Sequence, residues 1–202
     1  HYYARRAAGC KLEIVRIDLN TGASEIRFAV PDSDNGAFDC HPAVSADGRY
    51  FAFTRALSFA PQRFGVFLVD RETGACDCIH EDPFICNSHG QFCAGPERML
   101  MIQHNRGCEY TPEGKMTRCV GEKEGCTLFL LAVPSGAVTR LPAGIPHSTP
   151  CTGHEAWIGT SDEIIYTVES NNAYTGEPDA DGNIRAVRPG GEPRRVAPGV
   201  AM

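Results

Sequence analysis

Two kinds of hairpin alternate along this chain, and that alternation limits the folds open to it. One kind is an apolar strand that runs into a glycine turn: Val15-Arg-Ile-Asp-Leu-Asn-Thr-Gly22 and Val66-Phe-Leu-Val-Asp-Arg-Glu-Thr-Gly74. Weaker copies are Leu128-Phe-Leu-Leu-Ala-Val-Pro-Ser-Gly136 and Ile184-Arg-Ala-Val-Arg-Pro-Gly-Gly191. A polar-alternating return strand follows each turn, as in Val138-Thr-Arg-Leu141. Turn glycines let the chain reverse tightly, and apolar-polar alternation marks strands. The second kind opens on a histidine. It reads His41-Pro-Ala-Val-Ser-Ala-Asp-Gly-Arg-Tyr-Phe-Ala-Phe, then His89-Gly-Gln-Phe-Cys-Ala-Gly-Pro-Glu-Arg-Met-Leu-Met-Ile, then His154-Glu-Ala-Trp-Ile-Gly-Thr-Ser-Asp-Glu-Ile-Ile-Tyr. Each copy has a large apolar residue three positions on (Val44, Phe92, Trp157) and a polar turn before a second apolar strand.

The turn glycines Gly22, Gly74, Gly136 and Gly191 lie 52, 62 and 55 residues apart. Two hairpins per repeat give four strands in roughly 50 to 60 residues, the size of one β-propeller blade. Helical periodicity is nearly absent, and 21 Gly with 14 Pro punctuate the strands. A β-sandwich would show no such alternation of two hairpin types. The expected fold is therefore all-β, a β-propeller of the TolB/PD40-like repeat type, with residues 1–202 forming part of one domain. Three to four blades are visible, at the bottom of the usual range of about four to eight. With His1 rather than Met at its start, the chain reads as a fragment of a longer ring. Residues 105–127 interrupt the third repeat with charged, Gly-rich and Cys-bearing sequence, which reads as a loop insertion. Residues 170–183 read as a second polar loop that lacks the spacing of an EF-hand.

Composition narrows the partners. A net charge of −6 argues against nucleic acid, which needs a basic footprint. No run approaches the roughly 18 apolar residues of a membrane span. The 10 cysteines include no Cys-x-x-Cys pair, so a structural zinc site is not expected. Several lie inside apolar strand patterns, where a thiol behaves as a small hydrophobe. Buried reduced thiols in a cytoplasmic protein are the expectation.

The repeated register of His41, His89 and His154 predicts imidazoles near the inner ends of successive blades, facing one channel. His154-Glu-Ala-Trp-Ile158 is not a zinc-protease motif, because its fifth residue is not histidine and the segment is strand-like. No serine or cysteine nucleophile has a supporting motif. Arg106, beside His104 at the end of a strand, is the cation that stands out.

Three segments, Ser88-His89-Gly90-Gln91-Phe92, Gln103-His104-Asn105-Arg106 and Cys151-Thr152-Gly153-His154-Glu155-Ala156-Trp157, resemble the oligogalacturonate lyases. These are seven-bladed propeller enzymes of pectin breakdown. The resemblance implies a divalent cation, usually manganese, held by three histidines and a glutamine in the channel and bound to a uronate carboxylate. A separate histidine removes the proton beside that carboxylate, and elimination breaks the glycosidic bond. Carried onto this chain, His154 matches the first metal ligand and His89 the proton-abstracting base, with the other ligands expected beyond Met202. Substrate contacts fall on His104, Arg106 and Arg63, with Arg106 or Arg63 pairing with a second carboxylate of a di- or oligogalacturonate. The chain departs from the family at His104-Asn105-Arg106, where His-Glu-Gly is usual, and His41 has no counterpart. The alternative is a non-catalytic TolB/PD40-type propeller that binds a protein or peptide across its face.

Overall fold

The computed structural model describes residues 2–6, 12–30, 38–95, 98–121, 125–169 and 183–197. The loop singled out at 170–183 lies outside the described residues save for Asn183. Every element among the described residues is a strand. β1 (Tyr2–Arg6), β2 (Leu12–Ile17) and β3 (Ser24–Val30) form a three-stranded antiparallel sheet. β4 (Phe38–Val44), β5 (Tyr50–Phe59), β6 (Gln62–Asp70) and β7 (Cys76–Asp82) form a four-stranded meander. β10 (Glu109–Tyr110) and β11 (Met116–Arg118) pair as a small hairpin inside the 105–127 segment.

Two further meanders share one continuous sheet. The first is β8 (Gln91–Phe92), β9 (Met99–Asn105), β12 (Cys126–Ala132) and β13 (Val138–Arg140). The second is β14 (Cys151–Trp157), β15 (Ile164–Val168), β16 (Ile184–Val187) and β17 (Arg194–Ala197). They join where Cys126 of β12 sits opposite Cys151 of β14. Successive antiparallel four-stranded meanders are propeller blades, and the alternating hairpins of the sequence correspond to them.

The glycine turns repeat atom for atom. In three of them the glycine N–H donates four residues back, from Gly22 to Asp18, Gly74 to Asp70 and Gly136 to Ala132, each at 2.8 Å. Those glycines have φ of 71°, 76° and 72°, the left-handed region that a side chain disfavours. Ser or Thr at the preceding position caps each turn, Thr21 accepting from Ala23, Thr73 from Ala75 and Ser135 from Ala137. In the fourth repeat the positive φ falls on Gly190.

Strand parity stacks the blades face to face. On β9, Leu100 and Ile102 pack into a cluster with Tyr50, Val66 and Leu68 of the preceding blade, while Met101 faces the following one. β12 divides the same way, with Phe129 and Leu131 on one side and Leu128 and Leu130 on the other. Successive side chains of a strand point to opposite faces, so an unbroken apolar run is what a strand covered on both faces requires. A third cluster, Ile14, Phe51, Phe53, Phe67 and Val69, seals the first sheet against the second.

Candidate functional site

His89, just before β8, and His154, in the middle of β14, share a backbone feature. Among the described residues they are the two non-glycine positions with positive φ, 44° and 59°. Such a conformation in a residue other than glycine costs of order 1–3 kcal/mol and persists where surrounding bonds impose it. Those bonds are present. Asn105 holds the loop before His89 by donating its N–H to Phe84 O and its Nδ2 to Asn87 O. The Gln103 N–H donates to Ser88 O at 2.6 Å, and the Ser88 and Thr54 hydroxyls meet at 2.9 Å.

On β14, the register against β15 slips twice, between Cys151 and Gly153 and between Gly153 and Ala156. Such bulges re-aim side chains. His154 comes out exposed, and Glu155, one residue on, is buried on the opposite face. The Glu155 carboxylate then meets His89: Oε1 lies 3.0 Å from Nδ1, across a sequence separation of 66 residues. The ring is 32% exposed and the carboxylate 0%. Two more bonds tie the strands together, Gln91 Nε2 donating to Glu155 O and Trp157 Nε1 to Gln91 O. The second carboxylate oxygen, Oε2, is buried and accepts no hydrogen bond, and the same is true of Oε1 of Gln103. A Cβ on Gly153 would stand 3.0 Å from that Gln103 oxygen and 3.7 Å from Glu155 Oε2, so glycine keeps this space clear.

The other residues singled out from the sequence take different surroundings. His104 is buried, its Nε2 2.9 Å from Asp82 Oδ1 and its ring edge-on to Phe84 and Phe129. Arg106 donates from Nε to Gly125 O and from Nη1 to Ile145 O, bracing the loops that flank the insertion. Arg63 pairs with Glu81 across β6 and β7 at 2.6 Å. The backbone of His41 lies in β4, with its side chain outside the described residues. His89 is thus brought to Glu155, whereas His154 turns to the opposite face of β14 and Arg63 joins neither. A cleft of about 310 Å³, lined by Asp47, Phe92, Gly95 and Arg98 among others, holds neither histidine.

Glu155, Gln103 and Asp82 were not singled out from the sequence. Strand parity offered one signal: if His154 faces outward, its neighbour must face inward. Of the eight described cysteines, all free, five are buried, and Cys126 and Cys151 have thiols that burial pushes up to about 12. They are packing groups and not nucleophiles.

A divalent cation would need several ligands. Among the described residues, no three His, Cys, Asp or Glu side chains converge to hold one. His154 fits as a single ligand, being an exposed imidazole of a donor type suited to manganese and its neighbours.

No protein-family model matches the chain, and no curated protein matches it. Solved propellers do. The β-propeller domain of the Trilobed protease from Pyrococcus furiosus superposes with a TM-score of 0.55 at 15% identity, over 98% of this chain and 53% of that one. Acylaminoacyl peptidase from Pyrococcus horikoshii gives 0.59 at 14%, over 98% and 30%. An oligogalacturonate lyase in complex with manganese gives 0.54 at 13%, over 92% and 59%. The chain thus spans between under a third and about three fifths of these structures. At such identities the likeness is one of fold, and the fold is a β-propeller. No helix among the described residues is long and apolar enough to cross a membrane.

Proposed function

We propose that this protein is a lyase that cleaves short uronate oligosaccharides by β-elimination, with His89 as the base and His154 as a metal ligand. The observation that carries the reading is the arrangement around Glu155: a part-exposed imidazole bound to a sealed carboxylate, with a second, exposed imidazole on the adjoining residue. The order of motifs that resembles the oligogalacturonate lyases, and a fold that superposes on a manganese-bound member, support it.

With Nδ1 bonded to a carboxylate, the His89 ring presents the lone pair of Nε2 as the base. Nε2 takes the proton from the carbon beside the uronate carboxylate. The C–H electron pair becomes the new carbon-carbon double bond, and the glycosidic oxygen leaves with its own bonding pair. His154 would help hold the divalent cation, which when bound draws charge from the uronate carboxylate and eases removal of that proton. Arg63, half-exposed, can exchange Glu81 for a carboxylate on a neighbouring sugar. His104 ties β7 to β9, and Arg106 braces the loops that flank the insertion. The partner is a di- or oligogalacturonate, and a site for nucleic acid or membrane forms no part of this reading. A TolB/PD40-type binding propeller would leave the His89–Glu155 pair without a task.

The test uses the intact protein with oligogalacturonate and manganese. Formation of an unsaturated, ultraviolet-absorbing product is expected, abolished in His89→Ala with bound metal retained. Turnover persisting in that variant removes His89 as the base. His154→Ala should lower bound metal, and an unchanged metal stoichiometry removes it from the site.

A further inference from the structure

We infer that Glu155 is the positioning residue of the base: it fixes the His89 ring in the tautomer that leaves the lone pair on Nε2, and it carries the counter-charge once that nitrogen is protonated. The inference rests on the lyase reading above and deepens it.

The argument begins with what Glu155 has for company. A carboxylate with no exposed surface is costly unless it is paired. Oε1 has His89 Nδ1 at 3.0 Å, and Oε2 accepts nothing. Gln103, which also borders Gly153, does not compete. It spends its amide N–H on Asn105 Oδ1 at 2.7 Å, which turns its oxygen, not its nitrogen, toward Gly153 and Glu155. The charge of Glu155 is therefore directed at His89.

Direction follows from donor chemistry. A carboxylate oxygen accepts, so the 3.0 Å contact requires a proton on Nδ1, and a neutral ring with a proton there has its lone pair on Nε2. When Nε2 takes up a proton, the carboxylate is already in place beside the imidazolium, with no reorganisation of the protein. The same division of labour, an orienting carboxylate behind a histidine base, operates in serine-protease triads. Glu155 reaches no reacting atom in this scheme. It acts through the ring.

The backbone holds the carboxylate still. The two register slips of β14 turn Glu155 inward, Gly153 leaves room for it, and Gln91 Nε2 clamps its carbonyl at 2.8 Å. Gln91 in turn follows His89 by two residues, so the same hydrogen bond fixes the spacing between base and carboxylate.

Glu155→Gln is the informative change in the intact protein, because the amide keeps the shape and can donate to Nδ1. That reverses the tautomer and moves the proton to Nε2. The expected result is a fall in kcat of about 10³- to 10⁴-fold, by analogy with the amide-for-carboxylate change in a triad, with KM within about three-fold. Imidazole ¹⁵N spectra supply a readout that does not depend on turnover. The wild type should show Nδ1 protonated in the neutral ring, and Glu155→Gln should show Nε2 protonated. A variant with wild-type kcat overturns the inference, as does a wild-type ring already protonated at Nε2. A wild-type protein inert toward uronates overturns the lyase reading instead, and the nitrogen spectrum then still decides whether Glu155 sets the tautomer.

Discussion

Among the described residues are two histidine–carboxylate pairs of nearly equal length, His89–Glu155 at 3.0 Å and His104–Asp82 at 2.9 Å. Their surroundings are reversed. In the first the ring is 32% exposed and the acid sealed, whereas in the second the ring is 7% exposed and the acid 18%. His104 lies 5.8 Å from the Phe84 ring and 5.7 Å from the Phe129 ring, centre to centre, both edge-on. The same bond thus serves two ends. A ring that faces the solvent with its acid behind it is left open to a ligand. A ring enclosed by aromatics with its acid toward the solvent ties β7 to β9 and holds the blades together.

The largest effect that tests this contrast is on stability. His104→Ala leaves a ring-sized void between two phenylalanines and removes the partner of a half-buried acid. A cost of about 3 kcal/mol is expected from void and lost pair together. His89→Ala should cost only about 1 kcal/mol, because water can reach Glu155 through the space a part-exposed ring vacates. Urea midpoints of the two variants measure the difference. Equal losses would erase the distinction between a working pair and a cohesive one.

How far the sequence foretells these two regions differs, and the reason is the range of the contacts. The glycine turns are local: Asp18 and Gly22, or Asp70 and Gly74, settle their own hydrogen bonds within four residues. So are the apolar runs of β9 and β12, whose double-sided burial can be read from consecutive large side chains. The fold was legible for that reason. His89 and His154 stood out through their shared motif, but the acid that meets His89 did not, because the His89–Glu155 contact closes over 66 residues and depends on bulges in β14. The resemblance assigns His104 and Arg106 to substrate, and the strand end singles out Arg106. Asp82 and the carbonyls of Gly125 and Ile145, which they meet, come from other segments that residue type alone does not bring near.

Acid should separate the pairs next, by a smaller margin. Burial pushes the Asp82 carboxyl up, but the His104 hydrogen bond and charge, the Phe84 N–H and His80 together outweigh it and hold it below its usual value of about 3.9. Nearby His80 is held below its usual value of about 6.5, first by burial and then by His104 and Arg140, against the pull of Asp82. Both folded values are depressed, so in each case the unfolded chain binds more protons and stability falls as pH falls. The His80 contribution is complete above about pH 6.5 and is lost as pH drops through the folded value. The Asp82 contribution is complete above about pH 3.9 and goes at lower pH. Urea midpoints should therefore decline in two steps on acidification, with a slope below about 1.4 kcal/mol per pH unit in the first. His80→Gln should flatten that first step and leave the second. A first step that survives the substitution assigns it to another group.

The smallest expected effect concerns a pair in which neither partner is enclosed. Arg63 and Glu81 are 50% and 45% exposed, at 2.6 Å. Exposed ion pairs contribute about 0.2–1 kcal/mol, so Arg63→Ala should shift the urea midpoint by no more than that range allows. Under the proposed lyase reading, a guanidinium held so lightly can leave Glu81 for a uronate carboxylate at little cost. Losing it should raise KM for short oligogalacturonates about two- to five-fold with kcat unchanged, the signature of binding that is equal in ground and transition states. An unchanged KM removes Arg63 from the substrate. A fall in kcat instead would mean that the guanidinium reaches the reacting sugar, and the exposed pair would then belong with His89–Glu155 and not apart from it.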